Sequence, residues 1–212
     1  MSVHLAKGMR DILPAELRKR RFIVERIQRV FESFGFEPLQ TPAVERIETL
    51  MGKYGDEGNK LIFRILARGK AGEHGQADSA LRYDLTVPLA RVVAMNPQLP
   101  LPFKRYQIQP VWRADRPQRG RFREFYQCDV DVVGTKNALA EAECVAIVHQ
   151  ALVELGFTAF KIRLNDRRIL RAMVSSIGAL DREVDILVAI DKLDKIGEDG
   201  VRKNLVEQGF SP

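Results

Sequence analysis

The sequence is poor in the residues that build disulfide frameworks and metal centres. It has two cysteines, Cys128 and Cys144, and three histidines among 212 residues. The cysteines form no CxxC pair and the histidines are scattered, so we expect neither a disulfide framework nor a zinc site. The sequence also offers no convincing Ser/His/Asp or Cys/His set, which argues against a covalent protein nucleophile.

Long apolar runs are absent as well. No run reaches the length of a membrane span, and the N-terminus MSVHLAKGMRD lacks the apolar core of a signal peptide. Apolar residues make up 45% of the chain and charged residues 29%, which is the composition of an ordinary globular protein. We therefore expect a cytoplasmic protein with no membrane partner.

Basic residues outnumber acidic ones. The chain has 34 lysines and arginines against 28 aspartates and glutamates, a net charge of +6. This excess favours an anionic partner such as ATP or RNA, although a solvated basic surface explains the charge equally well. The basic residues cluster at positions 18–21 and again at 113–123. A standalone RNA-binding module is an open alternative that rests on charge alone.

The most informative stretch covers residues 103–134 and reads FKRYQIQPVWRADRPQRGRFREFYQCDVDVVG. Two alternating segments around a turn rich in Arg, Asp, Pro and Gly predict a long antiparallel hairpin with a charged tip. Strand alternation gives one apolar face, made of Tyr106, Ile108, Trp112, Tyr126, Cys128, Val130 and Val132. The opposite face is polar and carries Gln107, Gln109, Arg113, Arg121, Arg123, Phe125, Gln127, Asp129 and Asp131. Because unpaired charge is costly to bury, we expect this polar face to be solvated or to hold a ligand.

A second polar face is predicted from SALRYDLTVPLARVVAMN, which begins as a strand and becomes a helix near Val87. In the strand part, Arg82, Asp84 and Thr86 share one face. If this face lies beside the polar face of the hairpin, the two form one continuous polar surface. For Asp84 and Thr86, capping of the helix around Pro88 is the alternative.

The polar faces suit a ligand that carries both a phosphate and an amino group. Arg113 and Arg121 offer planar forks for phosphate oxygens, and the aspartates suit an ammonium or a metal. Asp129 and Asp131 lie two positions apart, roughly 7 Å, so they repel unless a cation lies between them. A cationic ligand group would remove that conflict. An ion pair between Arg123 and Asp129 is the competing explanation.

The remaining elements indicate an α+β fold with an antiparallel sheet flanked by helices. We predict a helix over Pro14–Phe34, a short helix over 45–54, a strand over Leu61–Ala67, a helix over NALAEAECVAIVHQALVELGF and a strand over TAFKIRLND. Beyond Arg167 every predicted element is helical. We therefore predict a domain boundary here, with one domain at 1–166 and a second at 167–212.

Four strings in this chain resemble, in order, conserved segments of the histidyl-tRNA synthetase family of class II aminoacyl-tRNA synthetases. They are KGMRDILP, TPAVE, which resembles motif 1, LRYDLTVPLAR, and the hairpin, which resembles motif 2; together they cover residues 7–134. The sequences LRYDLTVP and RGRFREFYQCDVD resemble those of the eukaryotic-type branch of the family. Residues 167–212 resemble the start of the helical insertion domain that interrupts the family's catalytic core.

The resemblance implies roles for particular residues. The histidine pocket would be lined by Asp84, Leu85, Thr86, Gln127 and Asp131. Arg113 would be the catalytic residue, contacting the ATP α-phosphate and the histidine carboxylate. Arg121 and Asp115 would help to hold the triphosphate and its magnesium, and Phe125 would stack beneath adenine.

The implied reaction has two steps. Histidine and ATP give histidyl-adenylate and pyrophosphate, and the histidyl group then passes to tRNA(His). ATP with Mg²⁺ would be a substrate, and no prosthetic group or metal bound by the protein alone is expected. The segment around Pro42 would lie in a homodimer interface.

Other expected segments of the family do not occur in this sequence. These are the histidine-specific segment with a second catalytic arginine, motif 3 and the anticodon-binding domain. We therefore expect an N-terminal fragment that is inactive alone. The alternative is a histidine-sensing regulatory subunit of ATP phosphoribosyltransferase, a paralogue of the synthetase. The tip arginines 113, 116, 119 and 121 favour the synthetase, because a histidine sensor would not need them.

Overall fold

The computed structural model of the chain describes residues 3–210, apart from the side chains of residues 56 and 57. Its contacts divide the chain into two compact units, Met1–Ala159 and Phe160–Pro212. The division lies seven residues before the boundary predicted from the sequence. The function of each unit stays a prediction.

The first unit combines helices with short and long strands. Its helices are α1 (Pro14–Ser33), α2 (Ile47–Leu50), α3 (Gly55–Lys60), α4 (Lys70–Glu73), α5 (Thr86–Met95) and α6 (Ala138–Glu154). Its strands are β1 (Glu37–Pro38), β2 (Val44–Arg46), β3 (Arg64–Leu66), β4 (Ala77–Leu81), β5 (Phe103–Trp112) and β6 (Glu124–Val133). They form two sheets, one in the order β1-β5-β6 and one in the order β2-β4-β3. The predicted α+β class with an antiparallel sheet flanked by helices is confirmed.

The predicted hairpin is present as β5 and β6. The two strands pair antiparallel in continuous register from Phe103 opposite Val133 to Trp112 opposite Glu124. At the tip end, the Trp112 indole Nε1 donates a hydrogen bond of 2.8 Å to the Glu124 carboxylate. The short strand β1 adds to the other edge of β5 in parallel orientation.

Helices α1 and α6 pack on one face of this hairpin. The core there contains Val30, Phe31, Phe36, Tyr106 and Ile147. The rings of Phe31 and Tyr106 have centroids 5.5 Å apart. Gly35 has a φ of +74°, which allows the chain to leave α1 and bring Phe36 back into the core. The helix predicted to end at Gly35 is thereby confirmed.

Near the division between the two units, the structure lacks a strand that the sequence predicts. The strand predicted for TAFKIRLND is wrong, because residues 158–166 form no ladder with another described segment. An alternating pattern alone does not make a strand, since its backbone groups need a partner. The segment between β3 and β4 contains the one-turn helix α4.

The second unit is helical in its described part. It comprises α7 (Arg167–Ser176), a 3-10 turn (Leu180–Arg182), α8 (Glu183–Ile190) and α9 (Leu193–Glu207). Asp166 caps α7 by accepting a hydrogen bond of 2.7 Å from the Arg168 amide. Gly197 has a non-helical φ of +68° inside α9, so the helix is kinked at this glycine. In α7, Val174 is buried but Ile169 and Met173 are exposed.

Among residues 3–210, no helix combines the length and the apolar character needed to cross a bilayer.

The KGMRDILP segment lies against the tip of the hairpin. The Arg123 amide donates to the Gly8 carbonyl at 2.9 Å, and the Arg10 guanidinium lies 4.0 Å from the centroid of the Phe122 ring. Gly8 has a φ of +83°, and a Cβ atom added there would approach Arg123 and Pro117 to within 2.9 Å. This position therefore requires glycine for both its backbone angle and its space.

We predict that Gly8→Ala destabilises the chain more than Gly120→Ala does. Gly120 has a similar φ of +78° but no neighbouring atom within 4 Å of an added Cβ, so its replacement introduces backbone strain alone. The additional crowding at Gly8 should cost about 1–3 kcal/mol more in the free energy of unfolding. Urea denaturation of both variants measures this difference, and equal losses would contradict the close packing of Gly8.

Candidate active site

The polar face of the hairpin is more buried than its sequence suggests. On β5, the side chains of Arg105 and Gln107 are completely buried, whereas Tyr126 on the predicted apolar face is 47% exposed. The Gln107 amide donates to the Thr41 hydroxyl at 2.9 Å and also to Gln109. The β5 half of this face is therefore not solvated as we had allowed. It is a buried polar layer in which the Gln107 side chain bonds to Arg105, Thr41 and Gln109, while the Arg105 Nε has no hydrogen-bond partner.

The predicted strand face of Arg82, Asp84 and Thr86 is wrong, because β4 ends at Leu81 and α5 begins at Thr86. The reason is the buried side chain of Arg82, which is 1% exposed. Its Nε donates to the Pro110 carbonyl at 2.8 Å, and its Nη1 donates to the Thr41 carbonyl at 2.7 Å. These bonds join the 82–85 segment to the hairpin, so the segment leaves the ladder of the β2-β4-β3 sheet.

Asp84 caps α5, as the alternative from the sequence proposed. Its Oδ1 accepts a hydrogen bond of 3.0 Å from the Val87 amide. The same oxygen accepts a second bond of 3.0 Å from the Tyr54 hydroxyl. Burial, followed by the nearby Asp84 carboxylate, raises the pKa of Tyr54, so this phenol remains a donor. Capping fixes the carboxylate beside the hairpin.

Arg113 is held at the start of the hairpin tip. Its Nε donates to the Tyr83 carbonyl at 3.1 Å, and its Nη2 donates to the Gln127 side-chain oxygen at 3.4 Å. Its guanidinium lies 4.4 Å from the centroid of the Tyr83 ring and 5.1 Å from that of Phe125. The cation is thus oriented by two aromatic rings and a carbonyl before any ligand arrives.

An acidic cluster lies further along the same face. Asp131 approaches the buried Arg105 across the strand pair, with Oδ2 and Nη2 2.6 Å apart in an ion pair. Burial raises the pKa of Asp129, as does the charge of Asp131, while Arg105 and the Gln127 amide oppose that shift. Burial lowers the pKa of the Arg105 guanidinium, against the attraction of the three aspartates at positions 131, 129 and 84. The cation expected between the aspartates is therefore supplied in part by the protein.

Sequence reasoning missed Arg105 and Tyr54. For Arg105 the signal was available, because it lies two positions before Gln107 and so shares the polar face of β5. For Tyr54 no local pattern existed, since its contacts with Asp84 and with the Tyr83 ring, at a centroid distance of 4.4 Å, connect distant segments.

The residues at the hairpin tip pair with one another. Arg121 Nη2 lies 3.1 Å from the Asp115 carboxylate, and the Arg121 side chain is 56% exposed. Arg123 Nε donates to the Asp115 carbonyl at 3.0 Å. The alternative ion pair between Arg123 and Asp129 is not formed, because both side chains have these other partners.

The predicted site residues thus form two neighbouring groups and a third group at the hairpin tip. Contacts connect Asp84, Tyr83, Arg113, Phe125 and Gln127 in one group, and Leu85, Arg105 and Asp131 in the other. The Leu85 side chain is fully buried, so its carbonyl is the group that faces Arg105, and Thr86 is exposed at the first turn of α5. Among the described residues, no three His, Cys, Asp or Glu side chains are arranged to hold a metal ion.

Comparison with known proteins identifies the family. A family model described as histidyl-tRNA synthetase matches residues 8–203. The chain belongs to the histidyl-tRNA synthetase family. It is 47% identical to the histidine–tRNA ligase of Flavobacterium johnsoniae and 49% identical to that of Christiangramia forsetii, with 98% of this chain aligned in each case. These alignments cover 51% and 49% of the two relatives, so the chain spans about half the length of the curated relatives it matches.

Solved structures of the family have the same fold. The histidyl-tRNA synthetase from Nostoc sp. superimposes with a TM-score of 0.84 at 34% identity, covering all of this chain and 46% of that one. A Bacillus halodurans protein described as an ATP phosphoribosyltransferase regulatory subunit/histidyl-tRNA synthetase superimposes with a TM-score of 0.80 at 24% identity, covering all of this chain and 54% of that one. The second likeness shows a shared fold alone.

We predict that Asp129→Asn and Asp131→Asn change stability in opposite directions at pH 7. Because the pKa of Asp129 is raised on folding, its ionisation opposes the folded state as the pH rises above the unfolded value near 3.8. Asp129→Asn should therefore stabilise the chain at pH 7, and the gain should shrink as the pH falls toward 4. Asp131→Asn removes the partner of a buried guanidinium and should cost about 3 kcal/mol at pH 7.

Urea unfolding from pH 4 to pH 7 measures both effects. A stability gain for Asp129→Asn that does not depend on pH would contradict this description of the acidic cluster.

Proposed function

We propose that this chain provides the histidine- and ATP-binding surface of a histidine–tRNA ligase. The observation that carries the proposal is the position of Arg113 beside the acidic cluster. Arg113 contacts Gln127, whose amide in turn donates to Asp129 at 3.3 Å. A fixed cation for a carboxylate or phosphate therefore neighbours a group of anions for an ammonium, and histidine carries both kinds of group.

The proposed reaction begins with attack of the histidine carboxylate on the α-phosphorus of ATP. A carboxylate oxygen bonds to phosphorus as the bond to pyrophosphate breaks, and histidyl-adenylate results. Such chemistry depends on alignment and on neutralisation of phosphate charge. Arg113 would supply that charge and hold the carboxylate. The histidyl group would then be transferred to tRNA(His).

We assign the ATP site to the tip half of the polar face. Phe125 would stack beneath adenine, and its ring already lies beside the Arg113 guanidinium. Arg121 and Asp115 would help to hold the triphosphate and its Mg²⁺. The exposure of Arg121 supports this assignment, because its guanidinium is accessible to phosphate oxygens.

The proposal also includes a homodimer partner and a cytoplasmic location. The segment around Pro42 would contribute to a homodimer interface, and the exposure of Pro42 and Val44 leaves these side chains accessible to a second copy. We place the protein in the cytoplasm because its proposed substrates serve protein synthesis.

Separate calorimetric titrations of this chain with histidine and with ATP test the proposed function. We expect both ligands to bind, because Arg113 and the acidic cluster are in place without a partner. Histidine binding without ATP binding would support the histidine-sensing regulatory subunit instead. Binding of neither ligand would contradict the proposal for this chain.

We predict that Arg113→Ala weakens histidine and ATP binding by about 10- to 100-fold each, the scale for losing a hydrogen bond to a charged group. Arg29→Ala is the control, because Arg29 is exposed on α1, which packs on the opposite, apolar face of the hairpin. Its affinities should stay within threefold of wild type. In a full-length histidine–tRNA ligase, replacing the corresponding arginine should slow ATP–pyrophosphate exchange by about 10²–10³. Wild-type affinities for Arg113→Ala would remove this residue from the site.

A further inference from the structure

Arg105 connects the two parts of the predicted histidine pocket. It lies in the middle strand of the β1-β5-β6 sheet, and its side chain is completely buried. One nitrogen, Nη2, is 2.6 Å from the Asp131 carboxylate on β6 and 3.4 Å from the Leu85 carbonyl before α5. The other, Nη1, donates to Gln107 at 3.3 Å. Arg105 thus contacts both the β6 carboxylate and the segment that leads into α5.

The charge of the cluster leaves an opening for a cationic ligand. Three carboxylates, those of Asp84, Asp129 and Asp131, act on the Arg105 guanidinium. One guanidinium neutralises one of them, so the cluster keeps an excess of negative charge when all three are ionised. Arg105 therefore reduces the repulsion among the three carboxylates in the ligand-free protein. It does not cancel their attraction for an ammonium group.

The shape of the guanidinium is as important as its charge. Its planar fork reaches the Asp131 carboxylate, the Leu85 carbonyl and the Gln107 amide oxygen at once, which fixes their relative positions. A lysine ammonium is a compact point charge on a flexible stem and cannot hold three acceptors in a fixed plane. An arginine at this position therefore fixes the geometry of its three acceptors, which a positive charge alone would not do.

We propose that Arg105 is a positioning residue of the histidine pocket. Buried below the surface, it holds Asp131 of β6 and the 84–86 turn in register, and it leaves the excess negative charge available for the ligand's ammonium group. This inference rests on the proposed function, because it concerns the same pocket. It assigns part of the affinity for histidine to a residue that does not touch the ligand.

A purely structural ion pair is the competing explanation, and the chain offers a matched control. Arg91 on α5 donates to both oxygens of the buried Glu45, at 2.9 and 2.7 Å. This pair is also well formed and partly buried, but it involves no carboxylate of the predicted site. Arg91→Met and Arg105→Met should therefore both lower stability, and only Arg105→Met should disturb the pocket.

The experiment compares histidine and ATP affinities of Arg105→Met, Arg105→Lys and Arg91→Met by calorimetry on the whole chain. Arg105→Met should weaken histidine binding by roughly tenfold or more and leave ATP binding within threefold. Arg105→Lys should keep the charge but still weaken histidine binding, because an ammonium cannot replace the fork. Arg91→Met should change neither affinity. Wild-type histidine affinity in either Arg105 variant, or an equal loss of ATP affinity, would overturn the proposal.

A second readout separates this proposal from the proposed function. Carboxyl NMR titration follows the pKa of Asp129, which Arg105 lowers in the wild type. That pKa should rise in Arg105→Met and stay at its wild-type value in Arg105→Lys and Arg91→Met. If the wild-type chain binds neither ligand, the proposed function fails for this chain. An unchanged Asp129 pKa in Arg105→Met would then overturn the role of Arg105 as well. If Arg105→Met does not fold, the lysine variant decides through histidine affinity.

Discussion

The site depends on the hydrogen bonds that the buried guanidinium of Arg82 donates. It donates to carbonyls of the Thr41–Pro42 segment and of Pro110, and so joins the β2-β4-β3 sheet to the long hairpin. A buried cation that lost these acceptors would have no water to replace them. Because Arg82 is fixed, the next three residues pass directly beside the hairpin. As a result, Tyr83 accepts a hydrogen bond from Arg113, Asp84 accepts one from Tyr54, and Leu85 accepts one from Arg105.

The parts of the fold that could be predicted are those with long, regular patterns. The hairpin has ten paired positions per strand, and α1 has an apolar stripe that ends at a glycine with positive φ. Both signals are local and repeated. The segment after Leu81 alternates in the same way but is only four residues long before α5 begins, and the nonlocal bonds of Arg82 override it. TAFKIRLND shows that a strand pattern is insufficient where no neighbouring strand supplies hydrogen bonds.

The candidate site was only partly readable for a related physical reason. Alternation correctly grouped Gln127, Asp129 and Asp131 on one face, because side-chain direction in a strand follows from sequence position. It could not show that the β5 half of that face is buried, since burial depends on what lies above it. Arg105 was therefore overlooked in favour of more exposed arginines, and Tyr54 was invisible because its partner is thirty residues away. Neither the roles of these residues nor the ligand follows from alternation.

The confinement of Arg113 between Tyr83 and Phe125 has an entropic consequence. A free arginine side chain loses about 2 kcal/mol of rotamer entropy when it is immobilised. Here the carbonyl of Tyr83 and the two rings have already restricted its torsions during folding. The entropy cost of ordering the Arg113 side chain is therefore part of the free energy of folding. Because an anion that binds to this guanidinium does not add that cost, more of the free energy of the contact contributes to its affinity.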